Sequence, residues 1–268
     1  TDVADQASVG ALAAQVLAEL GRVDLVVNNA VYCPVAPFME MEPALWDRVL
    51  AVNLRGTYLM CRAFLPAMLE QESGTIVNMT SSGDMPGLSA YFASKHGIEG
   101  LSCTLASEVG VRGVRVVAFG PGMVDTPAIR GAAPRLAPLL GMSEAQFLTM
   151  SMHPAYAGLM PAADAGAATA YLVARLAGEY HGEVVDGYTV LERAGYLRSP
   201  AVTAAAAAPV VPADDGASGR ARELAAGLAA MIAETEATLS RLPVFVRPLA
   251  RSGFRRKAGQ SIEAWART

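Results

Sequence analysis

The stretch Arg22-Val-Asp-Leu-Val-Val-Asn-Asn-Ala30 decides how the rest of the chain is read. Its apolar core, Val23 to Val27, is short and rich in β-branched residues. A near-continuous apolar run of this length predicts a strand buried on both faces, which is the habit of parallel sheets. Two asparagines follow at once, Asn28 and Asn29. Polar residues at the carboxyl end of such a strand stand where open α/β sheets bind ligands.

Outward from it, the pattern repeats. Residues 7–21 read as an amphipathic helix that stops at Gly21. Residues 43–70 carry a long helical pattern through Trp46, Val49, Leu50, Leu54 and Tyr58. Residues 74–80, GTIVNMT, predict a second strand, 88–110 a helix, and 113–119, GVRVVAF, a third strand. After Gly120-Pro121-Gly122 the stretch 123–160 reads as irregular, with a short helix at 143–150. A helix over 162–178 and a short strand over 182–186 close the pattern. Strands alternating with helices at this spacing give an α/β fold, a parallel sheet with helices on both faces.

From residue 196 the texture changes. An Ala/Pro-rich run to 218 reads as a linker, and 219–268 as a helical, basic extension. Within it Leu224, Leu228, Met231, Ile232 and Leu239 share a stripe; Arg251, Arg255, Arg256 and Lys257 follow. Apolar and acidic residues flank those charges, so this segment reads as a packing helix, not a nucleic-acid binder.

Composition narrows the function. The chain has 268 residues, is 53% hydrophobic and carries a net charge of -4, so nucleic acid is not an expected partner. The abundance of alanine reads as genome bias before function. The cysteines Cys33, Cys61 and Cys103 are three and scattered, with no CxxC, so neither a disulfide framework nor a metal site is expected. No leader and no apolar run of about 20 residues stands out, which predicts a cytoplasmic protein with no membrane span. No internal repeat is visible.

Chemistry concentrates at Tyr91-Phe-Ala-Ser-Lys95, and this chain has only two lysines, Lys95 and Lys257. Positions i and i+4 share a helix face, so Tyr91 and Lys95 project together. An ammonium beside a phenol favours the phenolate, which would make Tyr91 a usable acid/base. The same spacing is also what an idle surface pair would show. The company it keeps argues otherwise. Ser81 closes the second strand, where a hydroxyl can hydrogen-bond a carbonyl or alkoxide oxygen. Asn53 lies in the long helix before it, and Pro121 to Thr126 make a polar break after the third strand. Each break alone could be an ordinary turn or cap.

Taken in order, these signs resemble the short-chain dehydrogenase/reductase family, the single-domain NAD(P)-dependent type: TDVAD at the start, NNA at 28–30, VN at 52–53, IVNMTSS at 76–82, YFASK at 91–95, PGMVDT at 121–126 and GEVVDG at 182–187. The resemblance covers about residues 1–190 and implies a Rossmann-like doubly wound sheet. It implies that Tyr91 is the acid/base, that Lys95 lowers its pKa and holds the nicotinamide ribose, that Ser81 orients the carbonyl, and that Asn53 holds a relay water. It places Asp2 and Val3 against the adenine, Asn29 and Ala30 on the adenosine side, and Val124 and Thr126 near the nicotinamide carboxamide. NAD or NADP would be the cofactor and a small carbonyl/alcohol compound the substrate. Met123, Leu136, Leu139, Leu140, Met142, Phe147, Met150 and Met152 suggest an apolar substrate or lid, and could equally be core. The two long helices imply a homo-oligomer.

Three features depart from the family pattern. The family's opening strand, glycine-rich turn and helix have no counterpart, and Thr1-Asp2-Val3 stands where its third strand ends. The chain therefore reads as an N-terminally truncated domain, residues 1–195, whose strand at 23–27 would be an exposed edge. Ser81 and Tyr91 are only ten residues apart, shorter than usual, which leaves Thr80 and Ser82 open as the catalytic hydroxyl. Val31 replaces the glycine of the usual NNAG. The competing reading is a non-catalytic Rossmann-like scaffold or inactive fragment. An epimerase or dehydratase of the same family shares the Tyr/Lys spacing, but NNA and PGMVDT favour the dehydrogenase type.

Overall fold

The structure is a computed structural model and describes residues 1–81 and 83–197. Four parallel strands form its sheet: β1 (Leu25–Asn28), β2 (Gly74–Met79), β3 (Val114–Gly120) and β6 (Val184–Asp186), in the order β1-β2-β3-β6. A short pair, β4 (Val124–Asp125) and β5 (Met160–Pro161), stands apart from it. Helices α1 (Gln6–Leu20), α2 (Pro43–Leu50), α3 (Gly56–Glu70), α4 (Ser89–Val109), α5 (Pro127–Leu139), α6 (Glu144–Leu148), α7 (Ala162–Tyr171) and α8 (Gly187–Arg193) make up the rest. The parallel sheet with helices on both faces expected from the alternation is present.

Each strand divides its side chains between two cores. Ile76 and Val116 face α1, α3 and α4, packed with Ala13, Phe64, Met68 and Ala106. Val77, Val117 and Phe119 face α7 and α8, packed with Leu172, Val190 and Leu191. This is the period-two alternation of a pleated strand. β2 and β3 are buried on both faces, as their continuous apolar runs predict. β1 is not. Val26 is buried, but Leu25 and Val27 are 42% and 38% exposed. β1 is the edge of the sheet, and the groove beside Val27 is lined by Gly166, Thr169, Ala170 and Val173 from α7 and the turn after it.

Local chemistry sets the boundaries. Asp5 caps α1 by accepting from the Ser8 N–H, and Gly21 ends it with φ 72°. Gly113, with φ 79°, lets β3 start where a Cβ would fall 1.9 Å from the Glu72 carbonyl oxygen. The long helical pattern 43–70 is one continuous run of two helices joined by a π-helical turn at Ala51–Arg55, with Asn53 buried inside it. Such turns widen a helix and re-aim a side chain.

One expectation needs correction, and one helix is new. Residues 127–139 are helical, not irregular. Thr126 caps α5, Pro127 occupies its first turn, and Ala133, Leu136 and Ala137 are buried on one side. Residues 187–193 form α8, capped by Asp186, which accepts from the Thr189 N–H at 2.9 Å. The linker and basic extension fall on residues 196–268, which lie outside the described residues apart from Tyr196 and Leu197.

Candidate active site

Parallel strands bring the ends of β1, β2 and β3 to one edge of the sheet, and the polar breaks at Asn28–Asn29, Thr80–Ser81 and Pro121–Thr126 gather there. The first turn of α4 adds Tyr91 and the second adds Lys95.

Lys95 is 4% exposed, unusual for a lysine. Its Nζ donates to the Met79 carbonyl at 2.6 Å and lies 5.6 Å from the centre of the Tyr91 ring. Burial pulls its pKa down to about 8, with Cys33 acting weakly the other way. Burial also raises Tyr91, while a hydrogen bond with Ser81 works to lower it. Burial is thus the largest influence on both groups, raising Tyr91 and lowering Lys95.

The hydroxyl alternatives separate on contact. Thr80 is buried, and its Oγ1 donates to the Lys95 carbonyl (3.1 Å) and the Glu99 carboxylate (3.0 Å). Ser81 is the hydroxyl that acts on Tyr91, lowering its pKa against the effect of burial. Ser82 lies outside the described residues.

Asn53 is fully buried and wholly engaged. Its Oδ1 accepts from the Tyr32 N–H at 2.7 Å; its Nδ2 donates to the Tyr32 carbonyl and to Ser94 Oγ, both at 3.0 Å. Ser94 in turn donates to the Tyr91 carbonyl at 2.6 Å. The side chain so ties the loop after β1 to the backbone of Tyr91. The Asn53 carbonyl accepts from Thr57 Oγ1 at 2.7 Å. Below this lies a second buried network. Asn28 Nδ2 donates to Asn78 Oδ1 (2.7 Å), and Asn78 Nδ2 to Ser102 Oγ (2.9 Å), joining β1, β2 and α4.

The remaining candidates lie around this centre. Asn29 and Ala30 are exposed just past β1, and Asn29 lines the groove of about 630 Å³ between β1 and α7. Asp2 is exposed and accepts from the Ala4 N–H (2.9 Å), while Val3 rests on Gly56. Val124 is part-buried in the β4–β5 ladder. Thr126 accepts from the Ile129 N–H as the α5 cap, which leaves its own O–H free to donate. Leu88, Phe92, Leu136 and Phe147 are buried with Tyr91 and Met123 packed against them, so α5 and α6 roof the Tyr91 end with apolar surface.

Sequence reasoning missed three participants. Ser94 sits inside the quoted pentapeptide, and Asn78 within the second strand, where a buried amide mid-strand was the available signal. Cys33 reaches solvent, yet enough protein surrounds its sulfur to push the thiol up to about 11, with Lys95 opposing. Among the described residues no cluster of His, Cys, Asp and Glu could hold a metal ion, and no helix is long and apolar enough to cross a membrane.

Comparison with known proteins accounts for this arrangement. Residues 1–135 match the short chain dehydrogenase family model. The chain belongs to the short-chain dehydrogenase/reductase family. It is 49% identical over 128 residues to D-threitol dehydrogenase of Mycolicibacterium smegmatis, covering 47% of this chain and 49% of that one. It is 36% identical over 129 residues to the 3-oxoacyl-[acyl-carrier-protein] reductase FabG of Thermotoga maritima, covering 47% and 52%. Among solved structures it is similar to levodione reductase, with a TM-score of 0.63 and 30% identity over 71% of this chain and 75% of that one. The chain spans about half the length of the curated relatives it matches.

Proposed function

We propose that this family member is an NAD(P)-dependent oxidoreductase that moves a hydride between nicotinamide and a carbonyl/alcohol pair, with Tyr91 as the acid/base. The observation that carries the reading is buried Lys95 under the ring of half-buried Tyr91, with Ser81 beside it, at the ligand-facing edge of the sheet. Desolvated titratable groups held together at such an edge mark a reaction centre.

The residues present fit the nicotinamide and ribose end of the cofactor. Lys95 offers an ammonium, Thr126 keeps a free O–H, and Asn29 and Ala30 stand exposed past β1. The described residues contain no glycine-rich turn entering a helix for a pyrophosphate. When bound, the nicotinamide supplies or accepts the hydride.

The chain's own residues supply position and a proton. Ser81 donates to the substrate oxygen and, with Tyr91, fixes its place. Tyr91, held neutral by burial, gives its proton to that oxygen in reduction and takes it back in oxidation. Lys95 stabilises the phenolate left behind. Asn53 and Ser94 hold the Tyr91 backbone still. The apolar roof supplied by α5 and α6 favours an apolar substrate. A cytoplasmic homo-oligomer fits the reading. Supporting an interface between copies is an apolar groove of about 430 Å³ on the long helices, lined by Leu50, Leu54, Tyr58 and Leu101.

The test is consumption of NADH or NADPH against a panel of apolar ketones. Ser81→Ala is expected to lower kcat by about two orders of magnitude, while Thr80→Val keeps it within a few-fold. A strong loss in Thr80→Val with none in Ser81→Ala would reverse the assignment. Absence of turnover with every carbonyl and either nucleotide would refute the oxidoreductase reading.

A further inference from the structure

Behind the turn that follows β3 lies an aromatic group that plays no part in the chemistry above. Gly122 has φ 100°, and a Cβ there would fall 2.8 Å from Tyr188 Cε2 and 3.0 Å from its hydroxyl oxygen. The Tyr188 ring thus lies directly on this turn. The Met123 backbone lies close enough to the Tyr188 hydroxyl to favour the phenolate, against the effect of burial. One residue earlier, a Cβ on Gly187 would fall 2.5 Å from the Pro121 carbonyl oxygen, so the start of α8 closes the turn from the same side.

Tyr188 is itself backed. The His153 ring stacks on it, centroids 5.2 Å apart and planes 11° from parallel. His153 Nδ1 accepts from the Ala155 N–H at 3.1 Å, which leaves the proton on Nε2, facing Glu192 Oε1 of α8 at 3.2 Å. Tyr156 leans on both rings and donates to Asp164 of α7 at 2.7 Å. The Met160 N–H donates to the Met123 carbonyl at 2.8 Å, joining the far end of the same segment to the turn. On its other side, Met123 packs in the apolar cluster that includes Tyr91 and Phe92.

A path of contacts therefore runs from His153 through Tyr188 to Met123, and from Met123 to the surroundings of Tyr91. We propose that Tyr188, backed by His153, is a positioning residue: it fixes the Gly122–Met123 turn, and through it the placement of nicotinamide and substrate against Tyr91. Neither side chain touches the reacting atoms in this account. The link to nicotinamide rests on the oxidoreductase reading; the clamp on the turn does not.

Two variants of the full chain test it. Tyr188→Phe removes the hydroxyl and keeps the ring. His153→Phe keeps a stacked ring and removes the contacts to Ala155 and Glu192. Hydrogen exchange in the cofactor-free protein is read at the amides of 122–126, with those of 114–119 in β3 as the internal control. Loss of the contacts that hold the turn predicts exchange about threefold to tenfold faster at 122–126, with β3 unchanged. Tyr188→Phe should show the larger effect. Steady-state kinetics should then show KM for nucleotide and ketone raised about threefold to tenfold, with kcat within twofold. Unchanged exchange at 122–126, or equal acceleration in β3, would overturn the clamp. Faster exchange with unaltered KM would overturn the positioning role. If the wild type turns over no carbonyl, the oxidoreductase reading is what fails, and the exchange comparison still decides the clamp.

Discussion

Val77 and Val27 are partners in the same row of the sheet, yet Val77 is fully buried and Val27 is 38% exposed. One row across, on the opposite face, Ile76 and Val26 are 0% and 5% exposed. β1 is thus closed on the face of α3 and α4 and open on the face of α7. The buried amide networks lie on the closed side, from Asn28 to Ser102 and from Tyr32 through Asn53 to Tyr91. The comparison teaches that apolar sequence alone does not make a core. A neighbouring element has to cover it, and this sheet anchors the Tyr91 backbone from the side that is covered.

The largest stability effect should come from the closed side. Asn53→Leu leaves the Tyr32 backbone and Ser94 without their buried partner, and should cost about 3 kcal/mol in chemical denaturation. Lys95 gives a pH-dependent signature. Its folded pKa of about 8 lies below the value near 10.4 of an unfolded chain, so the unfolded state binds more protons between the two. Wild-type stability should therefore rise relative to Lys95→Met by roughly 2 kcal/mol from pH 8 to pH 10, and run parallel below pH 7. A constant difference across that window would show that Lys95 is not desolvated. The valine pair sharpens the contrast most simply. Val77→Ala should cost about 2 kcal/mol, and Val27→Ala under about 0.5 kcal/mol. Equal losses would mean that the open face of β1 is covered in solution.

Much of this was legible in the residues. The strands at 74–80 and 113–119 and the helix at 88–110 declare themselves because burial on both faces and helical periodicity leave plain apolar patterns. The Tyr91–Lys95 pair was legible because i,i+4 geometry is local. α5 was hidden by Pro134 and Pro138, which read as breakers. Spaced four apart, they lie on the same side of the helix and leave the Ala133, Leu136 and Ala137 side free to pack. α8 was hidden by its opening Gly187, although Asp186 and Thr189 spell a cap. The exposure of Leu25 and Val27 follows from which elements neighbour them, and so does the contact of His153 with Tyr188. Neither is written in local pattern. The spacing of Tyr91 and Lys95 is local, whereas the burial that raises the Tyr91 pKa comes only with the fold.

Turnover by Tyr91→Phe tests the central claim most directly. The variant should keep its fold and its affinity for nucleotide, because the phenyl ring still fills the cluster under α5 and α6. Its carbonyl reduction should fall by about a thousandfold, the loss expected when the group that gives the proton is removed. Turnover within tenfold of wild type would contradict the account and place the acid elsewhere.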